Sequence, residues 1–219
     1  MKDELYQIAD ELRAIASLGL RYTESGYDRE RYEHILKASA RILSTLENAP
    51  IEDIYTEYTG NLAHLSAVLC VEAAVFRDDK ILLIQRRDDQ TWAMPGGLAE
   101  VGETPAQGAE RELWEEAGVR GTAVRLLGLF DSRVWRSNSR MQLCLASFLV
   151  HSEDIPTLHA ANEAGFSSLS ETLATGFFDE HHLPPLHPGH DLRVPLLFRL
   201  WRGDIPVPYF DPSTIQPLE

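Results

Sequence analysis

Residues 97–119 read GLAEVGETPAQGAERELWEEAGV, a loop with two glycines followed by a segment with helical periodicity. Small and apolar side chains recur near one face of that segment, at Ala106, Ala109, Leu113 and Ala117. Gly118 follows at once, and a glycine in that place commonly ends a helix in the left-handed conformation. The pattern therefore predicts a helix over residues 104–117 that is entered from a loop.

Three glutamates of this helix are placed to hold a positive charge. Glu112 and Glu116 are four residues apart, so their carboxylates lie one above the other, and Glu115 flanks the same face. Stacked like charges cost an isolated helix roughly 0.2–0.5 kcal/mol per pair, and a bound cation would relieve that repulsion. Carboxylate oxygens suit Mg²⁺, Mn²⁺ or Ca²⁺ better than Zn²⁺. The alternative interpretation is an ordinary solvated acidic helix face.

The loop before the helix favours the cation over the solvated face. The corner formed by Gly96 and Gly97 lets backbone carbonyls approach a metal ion without a side chain in the way. Arg111 precedes Glu112 by one residue, so it points about 100° away from that glutamate on the helix wheel. Its guanidinium could pair with Glu103, which would fix the loop to the helix.

The flanks of this stretch read as strands. Upstream, a valine-rich apolar run predicts a strand over 67–76, and a polar turn at 77–80 joins it to a strand over 81–85. Downstream, the pattern predicts strands over 123–130, 141–150 and 174–178, a loop over 151–170, and a helix over 191–201 that begins at Asp191. Strands that alternate with helices predict an α/β or α+β fold.

The first 62 residues read as a separate helical segment. A first helix shows apolar residues at three- and four-residue spacing, at Leu5, Ile8, Leu12 and Ile15. We expect Gly19 to end it and Asp28 to cap a second helix. Pro50 should end the second helix, and a short third helix should cover residues 52–59. Three short helices bury little by themselves, so they should pack on the rest of the chain or on a second subunit.

The spacing of the fixed residues in the loop and helix resembles a known motif. Residues 97–119 match Gly-x5-Glu-x7-Arg-Glu-U-x-Glu-Glu-x-Gly-U, where U is aliphatic, at every fixed position. This is the Nudix box, and the flanking stretches LLIQRR (82–87) and WAMPGG (92–97) are also similar to that family. The resemblance implies the Nudix fold, an α/β/α sandwich with a mixed sheet. It also implies a hydrolase that acts on diphosphate bonds.

The same resemblance implies a set of ligands for Mg²⁺ or Mn²⁺. These ligands are the carbonyl of Gly97 and the carboxylates of Glu112, Glu115 and Glu116. The metal ions would bridge the diphosphate, orient a water for attack on phosphorus and stabilise the leaving phosphate. Glu103 and Arg111 would support the ligands by holding the loop to the helix.

The resemblance leaves the general base open, because members of the family use either a box glutamate or one from a later loop. Within the box, the catalytic candidates are Glu115 and Glu116. The stretch ETLATGFF (171–178) looks like the family segment in which a glutamate precedes a strand, so Glu171 is the later candidate. Glu153 and Glu163, in the same long loop, are alternatives. An exposed loop carboxylate without a role is the other interpretation of Glu171.

Two further groups of residues are candidates for ligand contacts. Arg133, Arg136 and Arg140 lie in a polar loop and could bind a phosphate or carboxylate of the substrate. Trp135, in the same loop, could stack on a nucleobase. The alternative is a solvated loop. Four histidines lie close together near the C-terminus, and we interpret them as a surface loop because their spacing fits no metal site: His181, His182, His187 and His190.

The rest of the chain resembles one bacterial Nudix subgroup that has a small helical domain before the Nudix domain. The stretches that carry this resemblance are 11–43, 176–186 and 208–211. It implies domains over 1–62 and 63–219, a homodimer, and a substrate of the ADP-ribose or CDP-choline type. Two other functions stay open: a hydrolase that removes non-standard nucleoside triphosphates, and a nucleotide-binding regulator without catalysis.

Composition limits the partners and the location. The formal charge is −14, from 34 acidic and 20 basic residues without a basic stripe, so we expect no nucleic-acid partner. No stretch approaches the roughly 20 apolar residues of a membrane span, so we expect no membrane partner. Cys70 and Cys144 sit in apolar runs and should be buried free thiols, which fits the cytoplasm. The expected partner is a small nucleotide, which metal ions would bridge to the carboxylates.

Overall fold

The computed structural model describes residues 2–62, 65–137, 142–154, 156 and 172–212. Their contacts divide the chain into an N-terminal unit and a second unit that begins at Val68. The domain boundary after residue 62 stays a prediction.

The N-terminal unit is helical, as the sequence predicts. It consists of α1 (Lys2–Tyr22), α2 (Gly26–Glu47) and α3 (Ile51–Gly60). The buried side chains between these helices are Ala16, Leu20, Leu36, Ala40, Ile54 and Tyr58. The unit therefore has a small core of its own.

Two details of this unit differ from the sequence-based prediction. Gly19 does not end α1, which continues to Tyr22; a Cβ at Gly19 would lie 2.5 Å from Tyr32 Cδ1, so the glycine makes room for that ring. Asp28 is not the cap of α2. Ser25 is the cap, and its hydroxyl accepts a hydrogen bond of 3.3 Å from the backbone N–H of Asp28. Asp28 lies in the first turn, where a negative charge suits the helix dipole.

The second unit is a mixed α/β structure. Among the residues of this unit that the structure describes, the helices are α4 (Pro105–Ala117) and α5 (His190–Arg202). Its strands, in chain order, are β1 (Val68–Ala74), β2 (Phe76–Arg77), β3 (Lys80–Arg86), β4 (Trp92–Ala93), β5 (Gly96–Leu98), β6 (Thr122–Asp131), β7 (Leu143–His151), β8 (Thr172–Asp179) and β9 (Tyr209–Phe210). The single strand predicted over 67–76 is thus two strands, because Val75 interrupts the run.

The strands form two sheets. The larger one has the order β5-β1-β7-β6-β9, in which β1 and β7 run parallel, as do β6 and β9, while the other pairs are antiparallel. The smaller one is centred on β3, which pairs antiparallel with β2, β4 and β8. The larger sheet is therefore mixed, as predicted.

Helices cover both faces of the larger sheet. On one face, Val71 and Ala73 of β1 pack in a cluster that includes Leu113 of α4. On the other face, Ala74 packs in a cluster that includes Val194 and Leu197 of α5. Neighbouring residues of β1 point to opposite faces because side chains alternate along a strand. The predicted α/β/α sandwich is confirmed.

Local signals fix the ends of α4. Thr104 and Gln107 form a capping box, in which the Thr104 N–H donates to Gln107 Oε1 at 2.9 Å and the Gln107 N–H donates to Thr104 Oγ1 at 3.3 Å. Gly118 ends the helix with a φ of 64°, a conformation that glycine adopts at little cost. The helix therefore begins and ends within one residue of its predicted limits.

The predictions for the cysteines and for membrane segments can also be compared with the structure. Cys70 and Cys144 are free thiols, as predicted, although both are half-buried rather than fully buried. Among the helices of the described residues, none is long and apolar enough to cross a membrane.

Candidate active site

Arg111 on α4 ties the loop to the helix. Its Nε donates to Glu103 Oε2 and its Nη2 to Glu103 Oε1, each at 3.0 Å. Nη2 also donates to the carbonyl of Leu98 at 3.1 Å, and Glu103 accepts the N–H of Glu100 at 2.8 Å. Hydrogen bonding to Arg111 holds the pKa of Glu103 below its ordinary value. The pairing of Arg111 with Glu103 that the sequence suggests is present in the structure.

The same guanidinium also contacts two of the helix glutamates. Nη1 of Arg111 lies 2.8 Å from Glu112 Oε1 and 3.3 Å from Glu115 Oε2. The helix-wheel argument, which points Arg111 away from Glu112, is wrong for the end of the side chain. An arginine is long enough to fold back over its own helix, and its donors fan out to several carboxylates. Arg111 thus joins the loop carboxylate to two helix carboxylates.

Glu112 is buried against the glycine corner. Its exposed fraction is 8%, and its carboxyl carbon lies 2.7 Å from where a Cβ on Gly97 would be. Only a glycine leaves room for the carboxylate in this position. Burial raises the pKa of Glu112, and Arg111 opposes that rise. This geometry places Gly97 beside Glu112, and their assignment as metal ligands stays a prediction.

Glu116 meets the other glycine of the corner. It is also 8% exposed, and its Oε2 accepts a hydrogen bond of 2.8 Å from the backbone N–H of Gly96. The two adjacent glycines thus contact two glutamates one helical turn apart. This contact places a backbone corner beside a pair of buried carboxylates.

The residues of this corner fit a hard divalent cation. The atoms that these residues can offer to a metal ion are all oxygens. The carboxylates of Glu112 and Glu116 are also buried, and a buried negative charge requires a positive partner. Arg111 provides part of that charge to Glu112 in this arrangement. Within the described ranges, no group of three or more His, Cys, Asp or Glu side chains is already arranged to hold a metal ion. A cation would therefore have to take over carboxylate contacts that Arg111 makes.

Some candidates for the base and the substrate contacts lie outside the described residues. These are Glu163, Glu171 and Arg140, and their assignments stay predictions. Glu153 is described and exposed. Arg133 is half-buried, and Arg136 is exposed in the turn after β6. The two arginines lie in the same short segment.

Trp135 is a core residue in the structure. Its exposed fraction is 8%, its ring packs edge-on against the rings of Phe130 and Tyr209, and its Nε1 donates to Asp211 Oδ1 at 2.7 Å. Tryptophan buries a large apolar area when its N–H finds an acceptor, and Asp211 supplies one. The placement does not favour stacking of Trp135 on a nucleobase.

The histidines do not all lie on the surface. His181 and His182 are exposed, as predicted, but His187 is half-buried and His190 is only 8% exposed. The surface interpretation is wrong for His190, which is the first residue of α5. Its Nε2 lies 3.4 Å from Oε1 of Glu72, so a buried partner draws it inward.

Glu72 is the centre of a buried polar cluster that the sequence interpretation missed. It is 3% exposed, and its Oε2 accepts hydrogen bonds from Arg193 Nη1 and, at 2.7 Å, from Ser147 Oγ. Burial alone would raise the pKa of Glu72, but Arg193 and His190 hold it well below its ordinary value. Burial and the charge of Arg193 lower the pKa of His190. A lone acidic residue inside an apolar strand was the signal that could have pointed to this cluster.

Known proteins are similar to both units. Residues 67–198 match the family model described as NUDIX domain, and residues 3–56 match one described as a UDP-X-like, N-terminal oligomerisation domain. YjhB of Bacillus subtilis (strain 168), named as a candidate ADP-ribose pyrophosphatase, is 34% identical over 180 residues, which are 82% of this chain and 83% of that protein.

Two solved structures are similar as well. The crystal structure of a UDP-X diphosphatase matches 96% of this chain and 99% of its own, with 25% identity and a TM-score of 0.58. The crystal structure of an ADP-ribose pyrophosphatase from Streptococcus suis 89-1591 matches 67% of this chain and 100% of its own, with 29% identity and a TM-score of 0.50.

Proposed function

The chain belongs to the NUDIX family, and on that premise we propose that it is a metal-dependent pyrophosphohydrolase of nucleoside diphosphates linked to another group. Its products would be a nucleoside monophosphate and the phosphorylated group. The observation that carries this proposal is the glycine corner, where Gly96 and Gly97 contact two buried carboxylates of a complete Nudix box. A regulator without catalysis would not need this arrangement.

The residues of the corner would hold Mg²⁺ or Mn²⁺. The ligands would be the carbonyl of Gly97 and the carboxylates of Glu112, Glu115 and Glu116. A bound divalent cation supplies positive charge for the diphosphate and activates a water for attack on phosphorus. Carboxylate oxygens are the donors that both cations prefer.

The other residues of the box position the ligands or move a proton. Arg111 and Glu103 keep the loop on the helix, and Arg111 neutralises carboxylates before the substrate binds. The general base would be a carboxylate that accepts a proton from the attacking water, either Glu115 or Glu116 of the box or Glu171 of the later segment. Replacing each with glutamine and comparing the fall in kcat would identify it.

Two types of compound are the leading candidates for the substrate: the ADP-ribose type and the CDP-choline type. The similarity over nearly the whole chain to a UDP-X diphosphatase, and that to YjhB, support a nucleoside diphosphate linked to a second group, of which ADP-ribose is one example. CDP-choline, in which choline is the second group, is the other proposed substrate. Arg133, Arg136 and Arg140 would contact the substrate phosphates, and alanine in place of each should raise KM if they do. The match of residues 3–56 to an oligomerisation domain supports a homodimer, and the predicted setting is the cytoplasm.

The test is hydrolysis of a nucleotide panel in the presence of Mg²⁺ or Mn²⁺. The panel holds ADP-ribose, UDP-sugars, CDP-choline and nucleoside triphosphates. An added phosphatase reveals the phosphomonoester products of the diphosphate compounds, and an added inorganic pyrophosphatase reveals pyrophosphate released from the triphosphates. Glu116→Gln is the catalytic variant. Glu110→Gln is the matched control, because Glu110 is also on α4 but its Oε1 accepts the Ala123 N–H at 2.7 Å, apart from the glycine corner.

The outcomes separate the candidate functions. The proposal is supported if the protein hydrolyses a diphosphate compound, Glu116→Gln abolishes that activity and Glu110→Gln retains it. Turnover of triphosphates alone would move the function to removal of non-standard nucleotides. Binding of a nucleotide without any turnover would contradict the enzyme and favour a regulator.

A further inference from the structure

The buried Glu72 cluster lies next to the glycine corner through the sheet. In the antiparallel pairing of β1 with β5, Glu72 is the partner of Gly96, and in the parallel pairing of β1 with β7 it is the partner of Ser147. Glu72 therefore lies between β7, whose Ser147 hydrogen-bonds to its carboxylate, and β5, which carries the glycine corner. This position connects a charged cluster to the candidate metal site.

Three side chains fix the carboxylate of Glu72. Arg193 of α5 donates to its Oε2, Ser147 donates to the same oxygen at 2.7 Å, and His190 Nε2 lies 3.4 Å from its Oε1. Arg193 itself is 1% exposed, and its Nε donates to the carbonyl of Gly189 at 3.2 Å. Held by the two hydrogen bonds to its Oε2, and with His190 close to its Oε1, Glu72 has little freedom to change its side-chain conformation.

Gly96 packs directly on the stem of Glu72. A Cβ on Gly96 would lie 2.9 Å from Glu72 Cγ and 2.6 Å from the carbonyl oxygen of Val71, so no side chain fits between the two strands there. The N–H of Gly96 then donates to Glu116 Oε2 at 2.8 Å. The backbone of Gly96 therefore lies against Glu72 and donates to Glu116.

A gain in stability alone is a weak explanation for the buried ion pair between Glu72 and Arg193. The desolvation of two buried charges offsets much of their attraction, so well-packed apolar residues often stabilise a core as much or more. Geometry is a better reason, since residues behind a metal ligand commonly change metal affinity by about 10- to 100-fold.

We propose that Glu72, fixed by Arg193, is a positioning residue that sets the orientation of the Glu116 carboxylate through Gly96. The inference rests on the proposed function, because it gives Glu116 the role of a metal ligand. It adds a part of the sheet and of α5 to the machinery that determines metal affinity. Glu72 itself contacts neither the metal nor the substrate.

The experiment measures Mn²⁺ binding directly, by the electron paramagnetic resonance signal of free Mn²⁺, in the full-length protein at 20 °C. Glu72→Gln keeps the shape of the side chain and removes its charge, and we expect the Kd for Mn²⁺ to rise about tenfold. Glu110→Gln is the matched control, with the same change of chemistry away from the corner, and its Kd should equal that of the wild type. Thermal unfolding of each variant is followed alongside.

A purely structural role predicts a different result. In that case Glu72→Gln would lower Tm but leave the Kd for Mn²⁺ unchanged in the folded protein, and the proposal would be overturned. If Glu72→Gln does not fold, Ser147→Ala decides, because it removes one hydrogen bond to Glu72 with little change in volume. A Kd raised about threefold or more supports the proposal, and a smaller change overturns it.

The two proposals fail in different ways. If the wild type binds no Mn²⁺ and hydrolyses no compound of the panel, the proposed function is at fault. If the wild type binds Mn²⁺ and Glu116→Gln weakens that binding while Glu72→Gln does not, only the positioning role is refuted.

Discussion

A methyl group added at Gly97 gives the sharpest test of the glycine corner. The Cβ of Gly97→Ala would lie 2.7 Å from the carboxyl carbon of Glu112, whereas ordinary contacts begin at about 3.4 Å. The carboxyl carbon must therefore retreat by about 0.7 Å, and its nearer oxygen by more. A misplacement of about 1 Å can cost roughly 10²-fold in rate, so we expect kcat to fall by about 30- to 100-fold. The Kd for Mn²⁺ should rise with it.

The same variant should fold normally. Gly97 is not among the glycines with positive φ, so alanine can adopt its backbone conformation. A change from glycine to alanine at a compatible position stabilises a protein by about 0.4–1 kcal/mol, which offsets the cost of moving the end of a flexible glutamate. Loss of activity without loss of Tm is therefore the expected signature.

The assay compares three proteins by hydrolysis, Mn²⁺ binding and thermal unfolding. Gly60→Ala is the control, because a Cβ at Gly60 would meet no atom within 4 Å. Wild-type kcat and metal affinity in Gly97→Ala would refute the reasoning, since the carboxylate would then not depend on the missing side chain. A fall of Tm together with activity would also refute it, because the collision would then have disturbed the fold.

Three further experiments test the role of Arg111, the titration of His190 and the reactivity of the two cysteines. Arg111→Lys should lower kcat by about tenfold and Tm by a few degrees, because lysine cannot contact two carboxylates with a planar fork; unchanged kinetics would contradict the role of Arg111. The pKa of His190 is lower in the folded state than its ordinary value, so the unfolded state takes up its proton first. The free energy of unfolding should thus fall as pH drops below about 6.5, and urea titrations should show a smaller fall in His190→Gln. Burial raises the pKa of both Cys70 and Cys144, so a thiol reagent at pH 8 should react slowly with the native protein. After denaturation the same reagent should react with two thiols. Rapid reaction of the native protein would be the contrary result.

Local chemistry made much of the site predictable. Thr104 and Gly118 act on the residues next to them, so the limits of α4 follow from short-range signals. The spacing of Glu112 and Glu116 places both on one helix face in any helix. The position of Gly97 against Glu112 follows from the resemblance, which supplies the loop that spacing alone does not determine.

Two of the errors arose where distant residues meet, whereas those at Asp28 and Arg111 concern close neighbours along one helix. Gly19 remains helical, and a side chain there would collide with the ring of Tyr32 on the next helix. His190 is buried beside Glu72, which is 121 residues away in sequence from another of its partners, Arg193. A pattern read along the chain cannot show a pairing that only the folded sheet and helix create.

Arg111 has a consequence for how the protein could respond to its surroundings. It already lies within 3.3 Å of carboxylate oxygens of Glu103, Glu112 and Glu115, so its positive charge offsets the repulsion among these three before a metal ion binds. We expect a chelator to stop hydrolysis while the secondary structure stays intact. Adding the divalent cation back should restore the lost activity. Catalytic output would then follow the supply of the divalent cation, while the folded chain waits ready to bind it.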